Sequence, residues 1–288
     1  MKKRRISVIV VCAVLLAAFM LSTAYSEQTC KAVYGEGPVK FSLATGSPGE
    51  LGLLKVMSED FCKGKNMSMC WVKAGSGASL KLLHKKAVDI IMVHAPAAEK
   101  KAVAEGWAVK RTLIGSNEFY IVGPVDDPAH IASAKNAADA YARIAKAKSK
   151  FFSRGDNSGT HKKELFIWKQ AGIVPSGDWY IVTKDFMSAT LSRANDEKGY
   201  FMTDSSTWIS DRNNLSNLKV LFKGDKVLIN TYHALCQAEG ATSGASIAAE
   251  FIDFVASEKG QSLIGNYGKE KYGEGLYNNA AYAQQYED

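Results

Sequence analysis

The chain repeatedly follows a short apolar run with a loop of Gly, Ser and Thr and then an amphipathic stretch. That order is the mark of a parallel sheet covered by helices. Residues 39–45 (VKFSLAT) read as a strand that breaks at Gly46-Ser47-Pro48-Gly49. Residues 50–61 read as a helix with Leu54, Met57 and Phe61 on one face. Residues 70–74 (CWVKA) form a second strand, ended by Gly75-Ser76-Gly77, and Leu80, Leu83 and Ala87 mark the next helix. Residues 89–94 (DIIMVH) have the continuous apolarity of a buried parallel strand. Pro96 then suits the first turn of another helix, where its missing N–H costs nothing.

A strand at 117–123 (NEFYIVG) leads into a loop at 124–128, a natural crossing point, after which the alternation restarts. Phe151 and Phe152 run into a polar loop at 153–161. A helix at 162–170 is stopped by Gly172, and a further helix at 187–195 precedes an extended run at 199–203. Strands at 218–222 and 227–236 follow, then a helical stripe of Ile247, Phe251, Phe254 and Val255. The expected architecture is α/β with two lobes, each a mostly parallel sheet flanked by helices. Lobe I takes 27–115 and 230–288, and lobe II takes 116–229. A hinge is expected near Gly123 and Asn230, with a cleft between the lobes as the default ligand site.

Residues 1–26 have their own logic. Lys2, Lys3, Arg4 and Arg5 precede sixteen residues whose only polar member is Ser7, and small residues follow at Ser22 to Ser26. This is the layout of a cleaved secretory signal peptide, and the run is short for a spanning helix. The formal net charge of +7 falls to +3 without those four basic residues. Elsewhere basic and acidic residues alternate, as in Lys184-Asp185, so no nucleic-acid partner is expected. The reading is a soluble, exported protein. Four cysteines remain in it: Cys30, Cys62, Cys70 and Cys236. In an oxidising compartment they allow two disulfides. Cys62–Cys70 across a short loop is the favoured pair, with Cys30–Cys236 as its complement and buried free thiols as the alternative. No Cys/His spacing supports a metal site, and no cofactor is expected.

The chemistry lies in the loops. Gly46-Ser47, Gly75-Ser76-Gly77 and Ser153-Arg154-Gly155-Asp156-Asn157-Ser158-Gly159-Thr160 each sit between a strand and a helix. Helix starts expose unpaired N–H groups and the positive end of the macrodipole, so together these loops make an anion site. N-capping alone would explain any one of them. Arg154 adds a permanent charge and a donor fork suited to oxyanions, or else pairs with Asp156. Asp156 is also the one loop acceptor that could take the proton of a hydrogen phosphate. Ser158, His161 and Asp156 have the residue types of a catalytic triad, which makes a hydrolase or transferase the competing class; they lie close together in sequence and no GxSxG elbow is present. No enzyme activity is expected. His94, at a strand end beside Ala95-Pro96, reads as a structural histidine.

Six segments resemble the periplasmic tungstate-binding component of ABC transporters, within the type II periplasmic binding protein superfamily. They are VKAGSGASLKLL (72–83), VDIIMVHAPAAEKKAVAEGW (88–107), NEFYIVGPVDDPAHI (117–131), FFSRGDNSGTHKKEL (151–165), SATLSRANDEKGYFMTDSSTW (188–208) and FIDFVASEKGQSLIG (251–265). The resemblance implies a binding protein that closes on a tetrahedral oxyanion, tungstate or molybdate, and delivers it to a membrane permease. A hinged two-lobed binder of this kind is adequate as a monomer. The resemblance also implies ligand contacts from Thr45, Ser47, Ser76, Arg154, Ser158, Gly159 and Thr160. The family typically shows a Thr-Thr-Thr-Ser run in the first loop, where this chain has Ala44-Thr45-Gly46-Ser47-Pro48-Gly49. The SGT loop also resembles that of phosphate-binding proteins, so phosphate is the alternative ligand.

Overall fold

Strand β5, Val109–Pro124, runs the length of the molecule and joins two halves of one eleven-stranded sheet among the described residues. The computed structural model describes residues 29–287, so the segment read as a signal peptide lies outside the described residues. The first half contains β1 (Ala32–Glu36), β2 (Val39–Thr45), β3 (Met67–Lys73), β4 (Ile90–Val93), β10 (Ile229–Cys236) and the short β11 (Asn278–Asn279). The second contains β6 (Phe151–Ser153), β7 (Tyr180–Val182), β8 (Tyr200–Asp204) and β9 (Leu218–Phe222). Strands β3, β2 and β4 are parallel to one another, as are β7, β6 and β8. The antiparallel strands β1, β10, β5 and β9 flank or join these parallel sets.

The helices lie on both faces. In the first half they are α1 (Ser47–Glu50), α2 (Leu53–Cys62), α3 (Ser76–His84), α4 (Pro96–Ala104), α9 (Ala245–Ala256), α10 (Glu258–Asn266), α11 (Lys269–Tyr272) and α12 (Ala280–Ala283). In the second they are α5 (Ala137–Ala147), α6 (Gly159–Gln170), α7 (Met187–Asp196) and α8 (Ser205–Asp211). β3 shows why the first half is buried on both sides. Met69 and Trp71 point into a core with Leu54, Met57, Phe61 and Phe251, while Cys70 and Val72 point into another with Leu83, Ile91 and Val93. The second half has its own core of Phe119, Tyr141, Phe151, Phe152, Trp168, Met187 and Tyr200. The chain crosses between the cores where Asn230 pairs with Asn117. Gly123, expected at the hinge, lies well inside the second half, packed against Tyr200 and Leu221.

Local differences from the sequence reading have local causes. The helix read at 50–61 is two helices, because Gly52 takes φ 90° between them. α6 begins at Gly159 rather than 162, because the Ser158 side chain accepts the N–H of His161 and caps it. The sequence pattern above does not mark β1, β7 or α5; half of the buried face of α5 is alanine, Ala137 and Ala140 beside Tyr141 and Ile144.

The expected disulfides are corrected. The bridge is Cys30–Cys70, and Cys62 and Cys236 are buried free thiols. Cys62 and Cys70 are near in sequence but lie on opposite faces of the sheet, Cys62 with Phe61 and Met57, Cys70 with Val72 and Leu83. Cys236 lies in the same core as Cys62. β1 runs antiparallel beside β3, which brings Cys30 to Cys70 on the other face. Non-reducing peptide mapping should link the peptides carrying Cys30 and Cys70. Cys30→Ser should lower unfolding stability by about 2–4 kcal/mol, the usual range for a bridge closing a loop of this size. A second bridge, Cys62–Cys236, would contradict the fold.

Candidate functional site

The carboxyl ends of the parallel strands from both halves converge on one small cavity. It is lined by Thr45, Gly46, Ser47, Pro48, Gly75, Ser76, Met92, His94, Arg154, Ser158, Phe186 and Tyr232. Larger hollows lie elsewhere, for example between Leu51, Tyr267 and Tyr272, but they do not gather these loops. The cavity combines the starts of α3 and α6. In α3 the first helical bond runs from Ser79 N to Gly75 O, and in α6 from Lys162 N to Ser158 O. The N–H groups of Ser76, Gly77 and Ala78, and of Gly159 and Thr160, precede those bonds.

Each expected residue has a definite setting. Ser76 Oγ accepts the N–H of His94, which leaves its own proton free. Ser158 Oγ accepts the N–H of His161. Ser47 Oγ lies 3.4 Å from Asp204 Oδ2. Thr45 is on the wall, but its hydroxyl donates to Met92 O at 2.8 Å, so that proton is committed. Gly159 and Thr160 begin α6 behind Ser158, outside the cavity lining. Thr160 Oγ1 is buried and has no hydrogen-bond partner.

Arg154 is only 4% exposed. Its Nη2 donates to Asp156 Oδ2 at 2.6 Å and its Nε to Asp185 O at 3.2 Å. Asp156 Oδ1 takes the N–H of Ser158 at 3.1 Å. Burial pushes the Asp156 carboxyl up, but the Arg154 charge and the Ser158 hydrogen bonds outweigh it, and the group stays below the usual carboxylate range. It is therefore an ionised brace for Arg154, and it does not line the cavity. Phe186 packs between two cations, 4.0 Å from Lys73 Nζ and 5.5 Å from the Arg154 guanidinium carbon.

The triad types do not assemble. His161 Nδ1 accepts the backbone N–H of Asn157, and Ser158 Oγ is bonded to the backbone of His161, not to its ring. Behind the loop, Glu164 is buried under Tyr180 and Trp168, with Tyr180 OH donating at 2.6 Å. Burial raises its carboxyl to about 7 despite those donors.

The sequence reading missed His94, Phe186 and Tyr232 on the wall. His94 stacks near Tyr232, 4.9 Å between centroids, and its Nδ1 lies 2.8 Å from Asn230 Oδ1. Asn230 Nδ2 donates to Asn117 Oδ1, and Asn117 Nδ2 to Ser206 Oγ and Asp204 Oδ1. An amide oxygen only accepts, so Nδ1 carries the ring proton. Burial, with the Arg154 charge adding to it, pulls the His94 pKa down to about 3. The only sequence signal was its place at a strand end. Its partners lie far along the chain, at 117, 159 and 230.

The halves meet through glycines. A Cβ at position 77 would lie 2.4 Å from Asn157 O, and one at position 159 would lie 2.3 Å from His94 Cε1. These are backbone approaches that a methyl group forbids.

A cavity at two helix starts around one braced arginine, between two α/β halves, is the arrangement of a two-lobed solute-binding protein. A family model described as a PBP superfamily domain matches residues 32–259. The tungstate-binding protein TupA of Peptoclostridium acidaminophilum is 34% identical, over 96% of this chain and 98% of its own length. The crystal structure of the tungstate ABC transporter from Geobacter sulfurreducens is 36% identical with a TM-score of 0.71, covering 81% of this chain and 100% of that one. TupA from Desulfovibrio alaskensis is 35% identical with a TM-score of 0.68, covering 84% and 99%. The chain belongs to the periplasmic binding protein superfamily and, within it, to the family of TupA-type tungstate-binding proteins.

Gly77→Ala should weaken ligand binding about tenfold or more, since overpacking of this kind costs about 1–3 kcal/mol. The effect should fall on the dissociation rate. An unaltered dissociation rate would mean that the halves need not meet this closely.

Proposed function

We propose that this protein captures a tetrahedral oxyanion, tungstate or molybdate, between two lobes outside the cytoplasm and delivers it to an ABC permease. The observation that carries this is the donor set. Arg154 and Ser158 from the second half and the Ser76 hydroxyl from the first face one cavity at the starts of α3 and α6. A fully deprotonated dianion needs only donors. Asp156, the acceptor that would favour hydrogen phosphate, is occupied by Arg154 and Ser158. The names of the relatives point to the same ligand.

In this reading Ser76 and Ser158 donate to ligand oxygens, Ser47 does so on leaving Asp204, Gly159 and Thr160 offer the backbone N–H groups at the start of α6, Arg154 offsets part of the charge, and Thr45 shapes the wall. Lobe I comprises 27–115 and 230–288, and lobe II 116–229, with bending centred on the Asn117–Asn230 crossing. The signal peptide at 1–26 sends the chain to the periplasm, where it acts as a monomer.

Calorimetric titration with tungstate, molybdate, sulfate and phosphate tests the proposal. Tungstate and molybdate should bind more tightly than sulfate and phosphate. Arg154→Ala should weaken the bound oxyanion by about 1.5–3 kcal/mol, the range for a hydrogen bond to a charged group. No heat with any of the four would overturn the proposal, and tight binding of phosphate alone would reassign the ligand.

A further inference from the structure

One wall group does not fit a cavity built of donors. His94 holds its single ring proton on Nδ1, facing Asn230 Oδ1, and the orientation of Asn230 is fixed by Asn117, itself tied to Ser206 and Asp204. Nε2 therefore carries a lone pair, and among the described residues no hydrogen bond to it is found. The ring cannot turn away, because Tyr232 packs on it and the Gly159 backbone lies against it. His94 is on the cavity wall; a bare Nε2 lone pair set against a dianion oxygen there would be repulsive, whereas the same pair of atoms with one proton between them is a strong charge-assisted hydrogen bond.

We infer that His94 Nε2 and a ligand oxygen share one proton in the complex, so that capture of a fully deprotonated oxyanion takes up one proton from solvent. This rests on the oxyanion reading above. The balance is simple: neutral imidazole, tungstate dianion and a proton from water or buffer give imidazolium paired with the dianion, and no other bond changes. A hydrogen phosphate brings its own proton and needs none from solvent.

The groups facing His94 set the size of the effect. Arg154 and Lys163, from the second half, oppose protonation, and Asp156 favours it. From β10 come Asn230 and Tyr232, the latter a phenol held neutral by burial, and from β5 comes Phe119. Asp204, whose carboxyl burial holds above its usual range, is reached only through the two asparagines. Without ligand these leave the ring neutral near pH 7. A dianion in contact raises its pKa. Between the free and bound values affinity must increase as pH falls, by up to about tenfold per pH unit.

The test is calorimetry with tungstate between pH 6.5 and 8, in buffers of different ionisation enthalpy. About one proton should be taken up per tungstate at the acidic end. His94→Gln should abolish the uptake and flatten the pH dependence of Kd, while Glu164→Gln, which removes the buried carboxyl held at about 7, should leave both in place. Nitrogen-15 NMR of the wild-type protein needs no variant: tungstate should move His94 Nε2 from the shift of a bare nitrogen to that of a protonated one. Tungstate binding with no proton uptake, uptake lost in Glu164→Gln but kept in His94→Gln, or an unmoved Nε2 resonance would each overturn the inference and leave the oxyanion reading standing. Failure of every oxyanion to bind would overturn both.

Discussion

The antiparallel pairing of β5 with β10 is the interaction on which the rest of the structure depends. It is where two strands leave one core and enter the other, and it sets side by side two asparagines that are 113 residues apart in sequence. Their amides do more than satisfy each other. One end of the pair holds the proton of His94 and the other reaches Asp204 and Ser206 at the start of α8. A buried amide pair of this kind has a single self-consistent orientation, so it fixes the polarity of a hydrogen-bonded chain running across the joint.

The electrostatics of the cavity follow from what surrounds Arg154. Its charge is largely balanced by Asp156 at 2.6 Å. A bare buried guanidinium would be expensive to keep without ligand, and a fully neutralised one would contribute little when ligand arrives. The brace leaves the loop near neutral before binding and leaves the attraction of an anion chiefly to oriented N–H and O–H dipoles. Those dipoles are fixed by the helices that carry them and need little rearrangement on binding. Size then follows from backbone approach: Gly75, Gly77 and Gly159 let the two halves close to van der Waals contact around something small.

Much of this was legible in the sequence where cause and effect are neighbours. The alternation of strands and helices, the loops at 46–49, 75–77 and 153–160, and the Arg154–Asp156 contact all depend on residues close together in the chain. What was not legible depends on which face of the sheet a residue occupies. Cys62 and Cys70 look like partners by spacing, but one step of strand alternation puts them in different cores. His94 reads as a structural residue because Asn117, Gly159 and Tyr232, which give it its role, come from three other segments. α5 is faint in the sequence because half of its buried face is alanine, which a hydrophobic pattern weights lightly.

The first core is discontinuous. It begins at β1 and is completed only by β10, Phe251, Ile252, Val255 and the residues of α10 and β11 that pack on β5. Even the buried pair of Glu99 and Arg111 is closed by His233 and, at 2.6 Å to each of Arg111 and His233, by Glu287. The second core is drawn from one unbroken stretch, Phe119 to Leu228. Its contacts are the shorter in sequence, so its loop-closure cost is the lower. The topology therefore builds the inner core from a single stretch of chain, whereas the outer core and the ligand cavity between the two are complete only once the chain has returned.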